Sequence, residues 1–212
     1  MPATHERTGE AFEEGVKLTI VGRKLTVGDR APDFSLDAMG PGDAAPHSVS
    51  LGDSAGRVRI LHVVNSLDTP VCHIGARRWE SLRSASLPES VVVYTVSMDL
   101  PFALARWRGA EQVGHEALSS HRTADFGERY GVMLKEWRLL QRAVFVIDKS
   151  DRIVFAEYVG DQMQEPDYDA AVAAATKAAA LRQTGSCELT SPLLPSSIDL
   201  PRGVRDGTEG YR

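Results

Sequence analysis

The chain has few cysteines: Cys72 and Cys187 are the two among its 212 residues. Two cysteines this far apart in sequence do not make the disulfide framework of a small secreted domain. Neither belongs to a Cys-x-x-Cys pair, because Cys72 is followed by His73, Ile74 and Gly75. The sequence therefore argues against a redox dithiol and a zinc ribbon, and it leaves a single cysteine in a special environment as a candidate.

Long apolar runs and an excess of basic residues are also lacking. The longest apolar candidate, residues 170–181, is mostly alanine and includes Lys177, well short of the ~20 residues that span a bilayer. The polar start, residues 1–15, holds no apolar run of the kind found in signal peptides. The formal net charge of −5 disfavours a nucleic-acid binder. We expect a cytoplasmic protein without nucleic-acid or membrane partners.

No Gly-rich phosphate loop is visible, and His62, His73 and Cys72 do not have the spacing of a zinc site. We therefore expect neither a cofactor nor a metal. The length suits one domain with its own core.

Hydrophobic patterning predicts an α/β fold. Apolar runs predict buried strands, and apolar spacing or helix-forming composition predicts helices. The strands are predicted at residues 58–64, 91–96, 143–147 and 153–159, and the helices at 70–85, 100–107, 124–130 and 167–183. Strand, helix, strand, then hairpin and helix is the thioredoxin-like plan. We expect a central mixed sheet of about five core strands flanked by helices.

The two ends of the chain differ from this central part. Residues 1–15 read as a flexible N-terminus, and residues 16–27 as an N-terminal β-hairpin turning at Gly22 and Arg23. Residues 185–212 are rich in Gly, Pro and Ser, which predicts a mobile C-terminal tail. The folded domain is expected to span residues 16–184.

The segment from Asn65 to Cys72 carries the chemistry. It begins where a buried strand ends and finishes in the first turn of a helix, with Thr69 as the predicted N-cap and Pro70 as the first helical residue. Cys72 then lies near unpaired backbone N–H groups at the positive end of the helix dipole. Such an environment stabilises a nucleophilic thiolate.

Two further residues are candidates for supporting this thiolate. Arg142 precedes the strand at 143–147 and is long enough to reach across to the turn, and the Thr69 hydroxyl can donate or accept a hydrogen bond. Each residue also has a structural interpretation. Cys72 is compatible with a buried packing residue, Thr69 with a cap alone, and Arg142 with an ordinary ion-paired arginine.

Seven stretches of the chain resemble the thiol peroxidase subfamily of peroxiredoxins. They are HERTG at 5–9, VGDRAPDFSL at 27–36, SLDTPVC at 66–72, DLPFALARWRGAE at 99–111, DFGERYGVM at 125–133, RAVFVID at 142–148 and EPDYDAA at 165–171. The resemblance implies a thioredoxin-like fold with an N-terminal hairpin, and a homodimeric peroxidase that reduces hydrogen peroxide or organic hydroperoxides. It also implies that Cys72 is the peroxidatic residue and that Thr69 and Arg142 assist it.

The chain departs from the family pattern at two positions. Asn65 stands where the family motif begins with a proline that shields the thiolate, and Arg108 stands where the family has its resolving cysteine. The usual internal disulfide is therefore excluded, and the sulfenic acid formed at Cys72 needs another route. We favour a one-cysteine cycle in which an external thiol, such as thioredoxin or a low-molecular-weight thiol, attacks it directly.

Two alternatives stay open. Cys187 on the predicted tail is a possible resolving thiol, within the chain or from a dimer partner. The protein is otherwise a peroxide sensor or interaction protein with the same fold and little turnover.

Overall fold

The computed structural model describes residues 5–181. The predicted tail at 185–212, including Cys187, lies outside these residues. The described chain contains two sheets, four α-helices and one short 3-10 helix at Leu51–Ser54.

The larger sheet has seven strands in the order β11-β10-β5-β6-β7-β3-β4. Their bounds are β3 Ser35–Ala38, β4 His47–Ser50, β5 Val58–Val63, β6 Val91–Ser97, β7 Glu116–Ser119, β10 Ala143–Ile147 and β11 Ile153–Tyr158. The β5–β6 and β6–β7 pairs are parallel, and the other pairs are antiparallel, including the predicted β10–β11 hairpin. This confirms the mixed α/β sheet of the thioredoxin-like fold.

The central strands are covered on both faces. Every residue of β5 and β10 is buried, which explains why β10 is a continuous apolar run and why β5 departs from one only at Arg59 and His62, rather than alternating. Val58 and Ile60 point to a core shared with α1 (Pro70–Ala85) and α4 (Tyr168–Ala180), and Leu61 and Val63 point to the core on the opposite face. The remaining helices are α2 (Pro101–Glu111) and α3 (Asp125–Arg129). None of the helices over residues 5–181 has the length and apolarity needed to cross a bilayer.

The smaller sheet corrects the prediction for the N-terminus. Residues 1–15 were expected to be flexible, but Glu6–Glu13 form strand β1, which pairs with β2 at Val16–Val21. Strand β1 is mostly polar and gives no apolar signal. It is held by buried Arg7, whose guanidinium donates to Gly22 O at 2.8 Å and Gly131 O at 3.0 Å.

The N-terminal hairpin therefore exists, but its two strands are β1 and β2 rather than the two halves of residues 16–27. It turns at Glu14 and Gly15, both of which have positive φ, and not at Gly22. Gly22 instead passes so close to Glu128 O that no side chain would fit there. Strand β2 continues the sheet to β8 (Met133–Leu134) and β9 (Leu139–Leu140).

The estimate of about five core strands is too low. Strands β3, β4 and β7 bring the sheet to seven, and each is four residues long. Strands this short carry too few alternations for a periodic pattern to assign them to the sheet.

Candidate active site

Cys72 lies in the first turn of α1, where the sequence predicts it. Thr69 has extended N-cap geometry (φ −93°, ψ 144°), Pro70 is the first helical residue, and Thr69 O accepts from His73 N at 2.9 Å. The backbone N–H groups of Val71 and Cys72 have no acceptor within the helix. Negative charge on the Cys72 sulfur is therefore favoured by these donors and by the helix dipole.

The loop before α1 is fixed by a carboxylate from the connection between β6 and α2. Asp99 accepts hydrogen bonds from Ser66 Oγ at 2.7 Å, Leu67 N at 2.9 Å and Ser97 Oγ at 2.9 Å. Within the loop, the Thr69 hydroxyl donates to Ser66 O at 2.8 Å. Because its proton is used in this way, the Thr69 oxygen is left to accept a hydrogen bond from a bound molecule.

A cavity of about 410 Å³ opens beside this loop. Its lining combines polar residues of the site with apolar side chains; they are Glu13, Asn65, Thr69, Pro70, Val71, Trp137, Leu139, Arg142, Gln162 and Met163. The buried Arg142 guanidinium donates from Nη2 to Gln162 O at 2.8 Å, whereas Nε and Nη1 have no partner among the described residues. Arg142 therefore has spare donors for an anionic or peroxide oxygen.

Cys72 is buried next to the cavity rather than in its wall. It is 0% exposed and packs with the apolar side chains of Val64, Leu67, Ala76 and Leu104. Among residues 5–181, its polar contact is from Sγ to Asn65 Oδ1, at 3.9 Å. Asn65 lines the cavity, so it connects the sulfur to the space where a substrate would bind.

Asn65 and Gln162 form a hydrogen-bonded pair of amides. Asn65 Nδ2 donates to Gln162 Oε1 at 3.2 Å and to Leu140 O at 2.7 Å, and Arg142 N donates to the same Gln162 oxygen at 2.9 Å. This pair fixes the backbone of Arg142 and the side chain of Asn65 at the same end of the sheet.

A row of polar side chains in mutual contact extends from β5 to α1. His62 Nδ1 lies 3.4 Å from Thr95 Oγ1, which contacts His115 Nε2 at 2.9 Å, and His115 Nδ1 contacts Glu80 Oε2 at 2.9 Å. Burial holds the pKa of His62 well below its usual value, with smaller contributions from the charges of Arg142 and His115. Neutral His62 adds no positive charge to the site, which leaves that role to Arg142.

Arg108, at the position of the family's resolving cysteine, has a structural role. Its buried side chain donates from Nη2 to Gly114 O at 3.3 Å and lies 3.5 Å from Glu116 Oε1. It thus joins the end of α2 to the start of β7. Nearby, Trp107 Nε1 donates to His73 Nδ1 at 3.0 Å, which ties α2 to α1 beside Cys72.

The structure brings Thr69 and Arg142 to one cavity and links Cys72 to it through Asn65. The fourth candidate, Cys187, lies outside the described residues. Sequence reasoning missed Asp99 and Gln162. Asp99 opens the motif at 99–111 that the resemblance already used, whereas nothing in the sequence around Gln162 indicates a role. Within residues 5–181, no group of three or more His, Cys, Asp or Glu residues is arranged to hold a metal ion.

Comparisons with known proteins show which family the chain belongs to. The family model described as Redoxin matches residues 26–172. The thiol peroxidase of Bacillus subtilis is 44% identical over 163 residues, which cover 76% of this chain and 93% of that protein. The thiol peroxidase of Halalkalibacterium halodurans is 44% identical over 168 residues, covering 78% of this chain and 96% of that protein. A solved peroxiredoxin-like protein from Aquifex aeolicus has a TM-score of 0.69 and 32% identity, covering 82% of this chain and 98% of that one.

Proposed function

Because the chain belongs to the Redoxin family and is a thiol-dependent peroxidase of the peroxiredoxin type, we propose that Cys72 is the residue that reduces the peroxide. The family assignment confirms the resemblance found in the motifs. The observation that carries the proposal is the place of Cys72 in the first turn of α1, next to a cavity that Thr69 and Arg142 line.

The reaction proceeds through a sulfenic acid. The Cys72 sulfur attacks one peroxide oxygen, an S–O bond forms as the O–O bond breaks, and water or an alcohol leaves with the proton of the thiol. The sulfur is thereby oxidised by two electrons and the peroxide is reduced. An external thiol then attacks the sulfenic acid, which gives water and a mixed disulfide, and a second thiol releases reduced Cys72.

Arg142 and Thr69 orient the peroxide and stabilise the departing oxygen. The free Nε and Nη1 donors of Arg142 match the negative charge that develops when the O–O bond breaks. The Thr69 oxygen, whose own proton goes to Ser66 O, accepts from the peroxide O–H. With the first-turn N–H groups of α1, they hold the O–O bond in the cavity next to Cys72.

A one-cysteine cycle fits the residues around Cys72 best. Cys72 is the one cysteine of the described residues, and the Arg108 guanidinium is engaged with Gly114 and Glu116. No thiol of the folded domain is therefore at hand to resolve the sulfenic acid. An external reductant, such as thioredoxin or a low-molecular-weight thiol, supplies both reducing thiols. Resolution by Cys187 is the alternative.

The substrates proposed are hydrogen peroxide and organic hydroperoxides. The cavity wall includes apolar Val71, Trp137, Leu139 and Met163, which favour the carbon chain of an organic hydroperoxide. The size of the cavity also exceeds what hydrogen peroxide alone needs.

The predicted homodimer is supported by apolar side chains near the site. Ile74 on α1, Leu100 at the start of α2 and Phe102 on α2 are each more than half exposed. Such residues favour burial against a second copy on the active-site face. The cytoplasmic location stays a prediction from the sequence.

The test is peroxide consumption with dithiothreitol as reductant. We expect the wild type to consume hydrogen peroxide and cumene hydroperoxide, and Cys72→Ser to be inactive, because the substituted oxygen cannot form the sulfenic acid. Cys187→Ser is the matched control and should keep the wild-type rate in a one-cysteine cycle. Equal rates for the wild type and Cys72→Ser would contradict the proposal, and an oxidised Cys72 without turnover would favour a sensor.

A further inference from the structure

The direction of the Asn65 carboxamide is determined by its neighbours. Its Nδ2 donates to two acceptors, Leu140 O at 2.7 Å and Gln162 Oε1 at 3.2 Å. An amide nitrogen has two hydrogens, and both are used. The remaining polar atom, Oδ1, therefore faces the Cys72 sulfur at 3.9 Å, and it is an acceptor only.

The direction of Gln162 is determined in the same way. Its Oε1 accepts from Arg142 N at 2.9 Å, and its Nε2 donates to Val159 O at 2.9 Å and Gly160 O at 3.2 Å. Reversing this amide would put a donor against the N–H of Arg142 and an acceptor against two carbonyl oxygens. Gln162 thus holds Asn65 with its oxygen towards the sulfur.

We propose that Asn65 holds Cys72 in its thiol form by accepting the S–H hydrogen bond, and that Gln162 is the positioning residue that keeps Asn65 in this orientation. Loss of the proton would leave a negative sulfur facing the lone pairs of Oδ1, which is unfavourable in a buried site. Asn65 therefore opposes the helix N-terminus and Arg142, and it slows the reaction of Cys72. This inference deepens the proposed function and rests on it for its biological meaning.

A change in the alkylation of Cys72 in these variants reports on Asn65, because the substitutions leave the other residues around Cys72 the same. The side chains that pack on Cys72 in its cluster are uncharged. The charged or titratable groups on the surrounding elements include His62 on β5, Asp68 and Asp99 in the loops, His73 on α1, Glu111 on α2 and Arg142 just before β10. None of these is altered in the variants below.

The experiment measures alkylation of Cys72 by iodoacetamide across pH, in a Cys187→Ser background so that one thiol reacts. Asn65→Leu keeps the bulk of the side chain but removes the acceptor, and Asn65→Ala also opens the wall of the cavity. We expect both to move the midpoint of the pH–rate curve to lower pH. The rate at neutral pH should rise by about three- to tenfold, the equivalent of one hydrogen bond. Gln162→Leu should move the midpoint in the same direction.

Ser54→Ala is the matched control, because it removes a buried side-chain hydrogen bond, to Leu51 O at 3.1 Å, that lies outside the site. It should leave the curve unchanged. Midpoints of Asn65→Leu and Asn65→Ala that coincide with the wild type would overturn the inference. The alkylation readout is independent of peroxide turnover, so loss of the proposed function appears separately, as failure of every protein to consume peroxide.

Discussion

Arg142 is the residue that supplies positive charge to the cavity. It is buried, it is fixed through Nη2 and its backbone N–H to Gln162, and its other guanidinium nitrogens are unpaired within residues 5–181. His62, the nearest histidine in this network, stays neutral because burial depresses its pKa. We therefore propose that stabilisation of the departing oxygen depends mainly on this guanidinium, whose planar geometry a lysine cannot reproduce.

Replacing Arg142 by lysine should lower kcat/KM for peroxide by about a hundredfold. The charge is kept, but the planar fork that reaches both Gln162 O and the peroxide is lost, and loss of one such donor typically costs this much. Steady-state kinetics with dithiothreitol give the measurement. Arg59→Lys is the control, because Arg59 is another fully buried arginine, paired with Asp151 away from the cavity. A value of kcat/KM for Arg142→Lys equal to that of Arg59→Lys would contradict the assignment.

Helix α1 shows what the sequence can and cannot predict about an element. Its bounds, residues 70–85, were predicted correctly because a cap residue, a proline and helical spacing are local signals. The contacts that attach α1 to the rest of the fold were not predictable, because the residues it contacts are distant in sequence. Glu80 accepts from both His115 N at 3.1 Å and His115 Nδ1 at 2.9 Å, and Arg78 lies over the Tyr168 ring at 4.2 Å. The polar strand β1 was missed for the same reason.

The attachment through Glu80 should make stability depend on pH in the acid range. The hydrogen bond from His115 lowers the pKa of Glu80 well below its usual value, against the effect of burial. The folded state therefore binds this proton less tightly than the unfolded state. The stability that the Glu80 carboxylate contributes is present above about pH 4.5 and is lost as the pH falls below that value. Urea unfolding measured across pH should show that the free energy of unfolding falls less steeply in acid for Glu80→Gln than for the wild type.

Glu157 provides a control, because its pKa is shifted in the opposite direction to that of Glu80. Burial raises its pKa, so the folded state binds this proton more tightly and stability is lost as the pH rises above about 4.5. Glu157→Gln should remove that loss instead. Acid slopes that are the same in Glu80→Gln and the wild type would contradict the role of the Glu80–His115 contact.

The whole molecule brings the site together from four separate stretches of chain. The loop before α1 supplies Thr69, the connection after β6 supplies Asp99, the segment just before β10 supplies Arg142, and the segment after β11 supplies Gln162. Thr69 and Arg142 were predicted as site residues from the sequence, whereas Asp99 was missed although it opens a family motif. The role of Gln162 exists only in the fold, since its amide meets Asn65 97 residues away in sequence.

The most direct measurement of how Cys72 reacts is to treat the reduced protein with one equivalent of hydrogen peroxide in the presence of dimedone, which traps sulfenic acids. Mass spectrometry of the digested protein then locates the adduct, and a parallel sample without dimedone is digested under non-reducing conditions. A one-cysteine peroxidase predicts the adduct on Cys72 and no disulfide between Cys72 and Cys187. Consumption of peroxide with Cys72 unmodified, or a Cys72–Cys187 disulfide as the main product, would contradict it.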